Sequence, residues 1–244
     1  CTLSSNYPDY ITASFYKTKD QRSFLTTAPI PMTFYAQFFG LNTPKNKILN
    51  ETIFLSLRNA YNGNIPLDSF YLGLVVDFSI GCPEDDYIGV DQRNGVVYAY
   101  NSDNQDEDCN ASLGFGENPP VQTVTVLNSL FDENFQSTPR IRHIAILEDD
   151  QSEGWQPRSA AEVYHYLQGK NKAGVPFSES GLPFTDDPKD PNGNSELALQ
   201  NPAGKRRVLI SIGPIQLLPG SVQRPLFVFS FLQLNNASNL QNVD

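Results

Sequence analysis

The sequence predicts an all-β protein: mainly an antiparallel, jelly-roll-like β-sandwich with one short α-helix and long ordered loops. Three features point there. Aromatic residues make up 11% of the 244 residues, with 16 Phe and 11 Tyr against one Trp, and such side chains suit a pleated, half-buried surface. Eighteen prolines and sixteen glycines set frequent turns between short runs. Several of those runs alternate with a period of two, and one segment alone carries helical caps. The length suffices for a sizeable core in a single domain covering 1–244.

Residues 1–30 are polar and read as irregular chain with one or two short strands. From Pro31, MTFYAQFFGL predicts a strand and TPKNK a turn. ETIFLSLRNAY follows with Ile53, Leu55 and Leu57 on one face, and NGNIPLDS is a turn rich in Asn, Gly and Pro. FYLGLVVDF is apolar enough for a central strand and delivers Asp77 to its end. GVVYAYN and VQTVTVL are further strands, and IRHIAIL alternates Ile141, His143, Ala145 and Leu147 against Arg142, Ile144 and Ile146. The helix is expected over 159–169: Ser159 caps it, Glu162 stands three residues later, and Gly169 fits a left-handed C-terminal position. Residues 170–207 form a long ordered loop, since Pro, Gly, Asn and Asp dominate it. RRVLISIGPIQLLPGS and RPLFVFSFLQL are expected to close the chain as a hairpin over 208–233.

The formal net charge is minus 10. Residues 77–108 hold nine carboxylates against Arg93 alone, which gives minus 8 for that stretch. The acidic balance argues against a nucleic-acid partner, since phosphate binding needs clustered Lys and Arg. Crowded carboxylates on Asp/Asn/Gly-rich loops suit a hard cation with oxygen ligands, and calcium is the natural candidate, with Asp77, Asp85, Asp86, Asp91 and Asp103 as ligands. The alternative is a solvated acidic loop. The spacing matches no EF-hand. No run of eighteen apolar residues is present, so membrane contact is expected only through a lipid anchor at Cys1, which otherwise marks a fragment boundary. Cys82 and Cys109 then remain as an even pair, to be read as a disulfide of an exported protein or as two thiols.

His143 and His165 are assigned structural roles, and GxSxG, HExxH and P-loop patterns are absent. Arg206 and Arg207 serve either an internal ion pair, with alternation turning one of them inward, or an anionic ligand. Trp155, near Tyr164 and Tyr166, is either a carbohydrate-stacking platform or buried against the sheet.

FYLGLVVDFSIGCPEDDYIGVDQRNGVVYAYNSDN, FGENPP, YHYLQGKNKAGVPF and GKRRVLISIGPIQLLPGSVQRPLFVFSF occur in an order that resembles a large extracellular domain of Bacteroidetes surface and secreted proteins associated with type IX secretion. The resemblance covers roughly residues 50–233. Asp77, Asp85, Asp86, Gly89 and Asp91 fall on its acidic motif, and Tyr100, Asn101 and Asp103 on the next block. Pro119 and Pro120 follow, then Tyr166, Leu167, Gly169, Gly174 and Pro176, and finally Arg206 and Arg207. Asn171 stands where the family has Trp, and Lys205 where it has Asp, which marks a divergent member. The resemblance implies a setting on the extracellular face of the outer membrane or in the medium. The expected function is a non-catalytic cell-surface module, calcium-stabilised, acting in adhesion, partner binding or assembly with an outer-membrane complex. Its expected partner is an outer-membrane or cell-surface protein or an extracellular glycan. A surface hydrolase or a glycan-binding accessory protein is the alternative.

Overall fold

A computed structural model describes residues 30–109, 112–147, 156–233, 240 and 243, together with the backbone course of residues 11–17. Cys1 and Trp155 lie outside the described residues. The strands are β1 (Ile11–Lys17), β2 (Met32–Gly40), β3 (Thr52–Tyr61), β4 (Leu67–Phe78), β5 (Asp86–Asp91), β6 (Val96–Asn101), β7 (Gln105–Asp106), β8 (Gly116–Glu117), β9 (Val121–Asn128), β10 (His143–Ile146), β11 (Arg206–Leu217), β12 (Val222–Gln223) and β13 (Leu226–Leu232). Two helices accompany them, α1 (Lys47–Asn50) and α2 (Ala160–Leu167).

Two antiparallel sheets face each other across one core. The larger runs β1-β2-β3-β13-β9-β6-β5, with β12 also paired to β3; the smaller runs β10-β11-β4. A separate ribbon joins β7 to β8. Strand alternation sends Leu55, Phe227, Val124, Val126, Val97 and Ile88 from the large sheet into the same apolar cluster as Val208, Ile210, Ile212, Ile144 and Phe78 from the small one.

α2 lies on the outer face of the small sheet, where Tyr166 and Leu167 meet Ala145, Leu147 and Leu209. Gly73 permits that approach, because a Cβ there would stand 2.7 Å from a Leu167 methyl. The helix has the expected Ser159 cap, whose side chain accepts from the Glu162 N–H, and Gly169 is left-handed at φ +69°. The turn expected around TPKNK forms at residues 44–45, closed by the Asn46 N–H to Thr43 O at 2.7 Å, and leads into the one-turn helix α1, which the Asn46 side chain caps by accepting the Leu49 N–H.

The closing hairpin is not formed. β11 pairs with β10 and β4, whereas β13 pairs with β3 and β9 in the opposite sheet. Both strands are central. β11 is apolar on both faces, with Ile210 in the core and Leu209 under α2, so the Pro-Gly segment carries the chain across the sandwich.

Residues 171–205 contain turns and bends without a named helix or strand, as expected of a long ordered loop. This loop closes two sheet edges. Ile144 on β10 donates its N–H to Gly181 O at 2.9 Å. Along β5, Val90 N–H donates to Phe184 O at 2.9 Å, Ile88 N–H to Glu196 Oε1 at 2.8 Å, and Asp86 O accepts the Gly204 N–H at 3.1 Å. Glu196 is held by Arg206, whose Nε and Nη2 donate to its two oxygens at 2.9 and 2.7 Å. Both residues are buried.

Removing one partner from a buried ion pair leaves an uncompensated charge, which costs about 3–5 kcal/mol. Glu196→Ala is therefore expected to lower the urea-unfolding free energy by that amount. Arg207→Ala, which breaks the exposed pair with Asp77, should cost under about 1 kcal/mol. Equal losses from the two substitutions would show that the loop anchor is not a main support of the sandwich.

Candidate functional site

The β5–β6 hairpin brings Asp86 opposite Asn101 in register, at the end of the sandwich where residues 79–85 and 102–109 meet. A disulfide joins Cys82 to Cys109 across these two loops. Beneath it lies Asp106, which is 1% exposed. Its Oδ1 accepts the Cys82 N–H at 3.0 Å and its Oδ2 the Phe115 N–H at 2.7 Å. Gly81, at φ +51°, makes room for it: any Cβ there would fall 1.9 Å from Asp106 Oδ2.

Asp86 is fully buried. Its Oδ2 accepts the Ile80 N–H at 3.1 Å, while its Oδ1 has no hydrogen-bond partner. Asp85 is half-buried, and its Oδ1 also lacks one. Burial first, then the charges of Asp85 and Asp106, push the Asp86 carboxyl up to about 8; the Ile80 N–H and the Arg206 charge oppose the rise. Asp85 is raised to about 6, first by burial and then by the charge of Asp106, with Glu107 adding less and Asn101 opposing.

The five carboxylates expected to share an ion divide. Asp85 and Asp86 come together. Asp91 sits at the other end of β5, about 16 Å away at about 3.3 Å per residue, where its two oxygens accept from the Asn94 N–H and Nδ2 at 3.0 and 2.6 Å. Asp103 is exposed and accepts the Gln105 N–H at 2.7 Å. Asp77 lies on the outer face of β4, in register with Arg207 and bonded to it. Among the described residues, no group of three or more His, Cys, Asp or Glu side chains stands in metal-holding geometry. Hard oxygens in a buried pair do match the donor chemistry of a calcium ion, which would complete its shell with carbonyls and water.

Sequence reasoning missed Asp106 and Glu196. Asp106 is one of several acids in DNQDED, and only the bridge to Cys109 marks it as the buried one. Arg206 points inward and Arg207 outward, as alternation requires. The Arg206 donors go to Glu196, Pro202 O and Lys205 O, and its guanidinium lies 5.8 Å from the centre of the Tyr87 ring. Tyr166 is buried, whereas Tyr164 is 38% exposed.

A second feature adjoins this corner. β4 ends its sheet, and beside it opens a groove of about 420 Å³. Val75, Val76 and Phe78 form one wall; Ile53, Phe229 and Phe231 of the facing sheet form the floor. Gln122 closes one end, its Oε1 accepting the Ser79 N–H at 3.2 Å and its Nε2 donating to Ser79 O at 2.6 Å.

The raised carboxyls fix a sign for pH dependence. A group whose folded pKa exceeds its unfolded value, here about 4, contributes stability that is complete below the unfolded value and is lost as pH rises through the folded one. In calcium-free buffer, Tm is expected to fall as pH rises from 4 through 6 to 8, following the Asp85 and Asp86 values. Asp86→Asn should remove most of the fall at the alkaline end. A profile that rises over this range, or one the substitution leaves unchanged, would contradict the assignment.

No family model matches the chain, and a search of curated proteins finds no match; the functional reading therefore stands on the two features just described.

Proposed function

We propose that this chain is a non-catalytic, calcium-stabilised surface module of an exported protein, acting in adhesion, partner binding or assembly with an outer-membrane complex. The setting is the extracellular face of the outer membrane or the medium, as in the Bacteroidetes domains it resembles. The observation that carries the reading is the Cys82–Cys109 bridge closing over a buried carboxylate pair with two unpartnered oxygens. Disulfides persist in oxidising compartments, and buried carboxylates with free oxygens can be neutralised by a bound divalent ion in place of protons.

Binding supports this reading better than catalysis. Asp106 spends both oxygens on backbone N–H groups, and Glu196 is locked against Arg206 and Ile88. The acids of this end therefore tie loops together. Among the described residues, the free edge of β4 and its groove are open to a partner.

Calcium bound only by the folded chain must raise Tm. At about 100 times its Kd the gain is about 2.7 kcal/mol, or about 5–10 °C for a chain of this size. The gain should be larger above pH 8, where Asp86 gives up its proton, than below pH 6, where protons compete. No shift with millimolar calcium or with chelator at either pH would remove the ion from the proposal.

Reduction of the bridge is a second test. It closes a 27-residue separation, worth about 3.5 kcal/mol in the chain-entropy model. Reductant, or the Cys82→Ser/Cys109→Ser pair, should lower stability by about that amount and weaken calcium binding with it. Unchanged calcium affinity in the reduced protein would separate the bridge from the carboxylate pair.

A further inference from the structure

The edge strands of the two sheets are finished in different ways. The long loop satisfies β5 at Asp86, Ile88 and Val90, and β10 at Ile144. β4 receives no such cover: among the described residues, no backbone hydrogen bond outside its ladder with β11 is made by residues 67–78. An uncovered strand edge is a template for another strand, and soluble proteins commonly blunt it with charge, proline or a covering segment. Here the edge reads FYLGLVVDF. Its inward side chains Leu72, Leu74 and Val76 are only partly buried, although they pack against the core.

The facing sheet shows the same vacancy from the other side. It is wider than the three-stranded sheet above it, and its inner face runs on past β4. Ile53 and Phe38, both on the face that carries Leu55, are 42% and 41% exposed. Adjacent strands lie about 4.8 Å apart and stacked sheets about 10 Å apart. One further strand beside β4 would therefore lie over Ile53 and Phe229, fill the groove and give the small sheet a fourth member.

We propose that the β4 edge and its groove receive an extended segment of a different protein, which adds a strand to the small sheet, inserts apolar side chains at alternate positions, and carries Lys or Arg at the end beside Ser79. Main-chain bonds to an open edge give affinity, and pockets for alternate side chains give selectivity. The charge preference follows from position. Ser79 and Ile80 lead directly from the groove end into the loop that carries Glu84, Asp85 and Asp86, and Glu51 stands on the rim. Asp77, also on the rim, is already paired with Arg207, and Glu51 lies 3.9 Å from Lys47; the attraction therefore comes from the loops beyond. A second copy is disfavoured, since each chain has a net charge of minus 10.

This inference deepens the binding-module reading and rests on it for the existence of a partner, but not on calcium. The probe is a fluorescent synthetic peptide of ten residues: two lysines followed by alternating Val and Thr, the direction that pairs antiparallel with β4. Anisotropy at low salt should show binding. A glutamate-for-lysine version should bind at least tenfold more weakly, as should the lysine peptide to an Ile53→Lys variant. Ile53 is already exposed, and an unchanged Tm would certify that this variant folds. Amide exchange at residues 74–78 should slow when the lysine peptide is bound. No binding at millimolar peptide, binding without protection of 74–78, or sedimentation as a dimer with 74–78 already protected would each overturn the proposal. A missing calcium response alongside peptide binding would count against the ion alone.

Discussion

An antiparallel sandwich that does not close into a barrel must finish four strand edges, and the rest of this structure follows from how that is done. Backbone groups on an edge must find partners or face water. At β5 the partner is a side chain: Glu196 accepts the Ile88 N–H while Arg206 holds both of its oxygens. The pair is buried, so its Coulomb attraction is set largely against desolvation. Its value is positional. It fixes the end of a loop with no regular structure against a strand, so that Leu182 and Phe184 reach the core while Leu197 and Ala203 cover the tyrosines on the outer face of β5 and β6.

The same logic explains the acidic corner. Carboxylates are acceptors with several lone-pair sites, and the loops above the β5–β6 hairpin have N–H groups with no strand to meet. Asp106 takes two of them and Asp86 one. Each bond draws a charge inward. Asp106 is repaid with two donors, whereas Asp85 and Asp86 each keep an oxygen without a partner. Hence the charge that organises the loops also raises the carboxyls around it, and the site's state is set by pH and by cations.

Much of this was legible in the sequence where a residue's role is local. Period-two alternation located β3 and β10, and apolar runs located β4, β9 and the two closing strands; Ser159, Glu162 and Gly169 marked α2; Cys82 and Cys109 stood as an even pair. The misreadings share a cause. A Pro-Gly turn between apolar runs predicts a hairpin, but pairing depends on which edges other strands occupy, and β11 and β13 were both taken on each side. Likewise, sequence density grouped Asp77, Asp91 and Asp103 with Asp85 and Asp86, although strand length separates Asp91 and side-chain direction separates Asp77. Glu196 was invisible because its partner Arg206 and its acceptor role at Ile88 are both tertiary facts.

The corner and the groove are joined by a single short segment. Phe78 lines the groove, Ser79 is clamped by Gln122, and Ile80 donates to Asp86. Electrostatic interactions between exposed charges fade over about 8 Å at physiological salt, whereas partly buried ones are screened less. Asp77 and Glu51 on the groove rim are already paired with Arg207 and Lys47, so on the proposed reading the acidic loops beyond Ser79 supply the field at the groove end. A corner whose carboxylates hold loops together would then also set how strongly a basic segment is drawn to the open edge beside it.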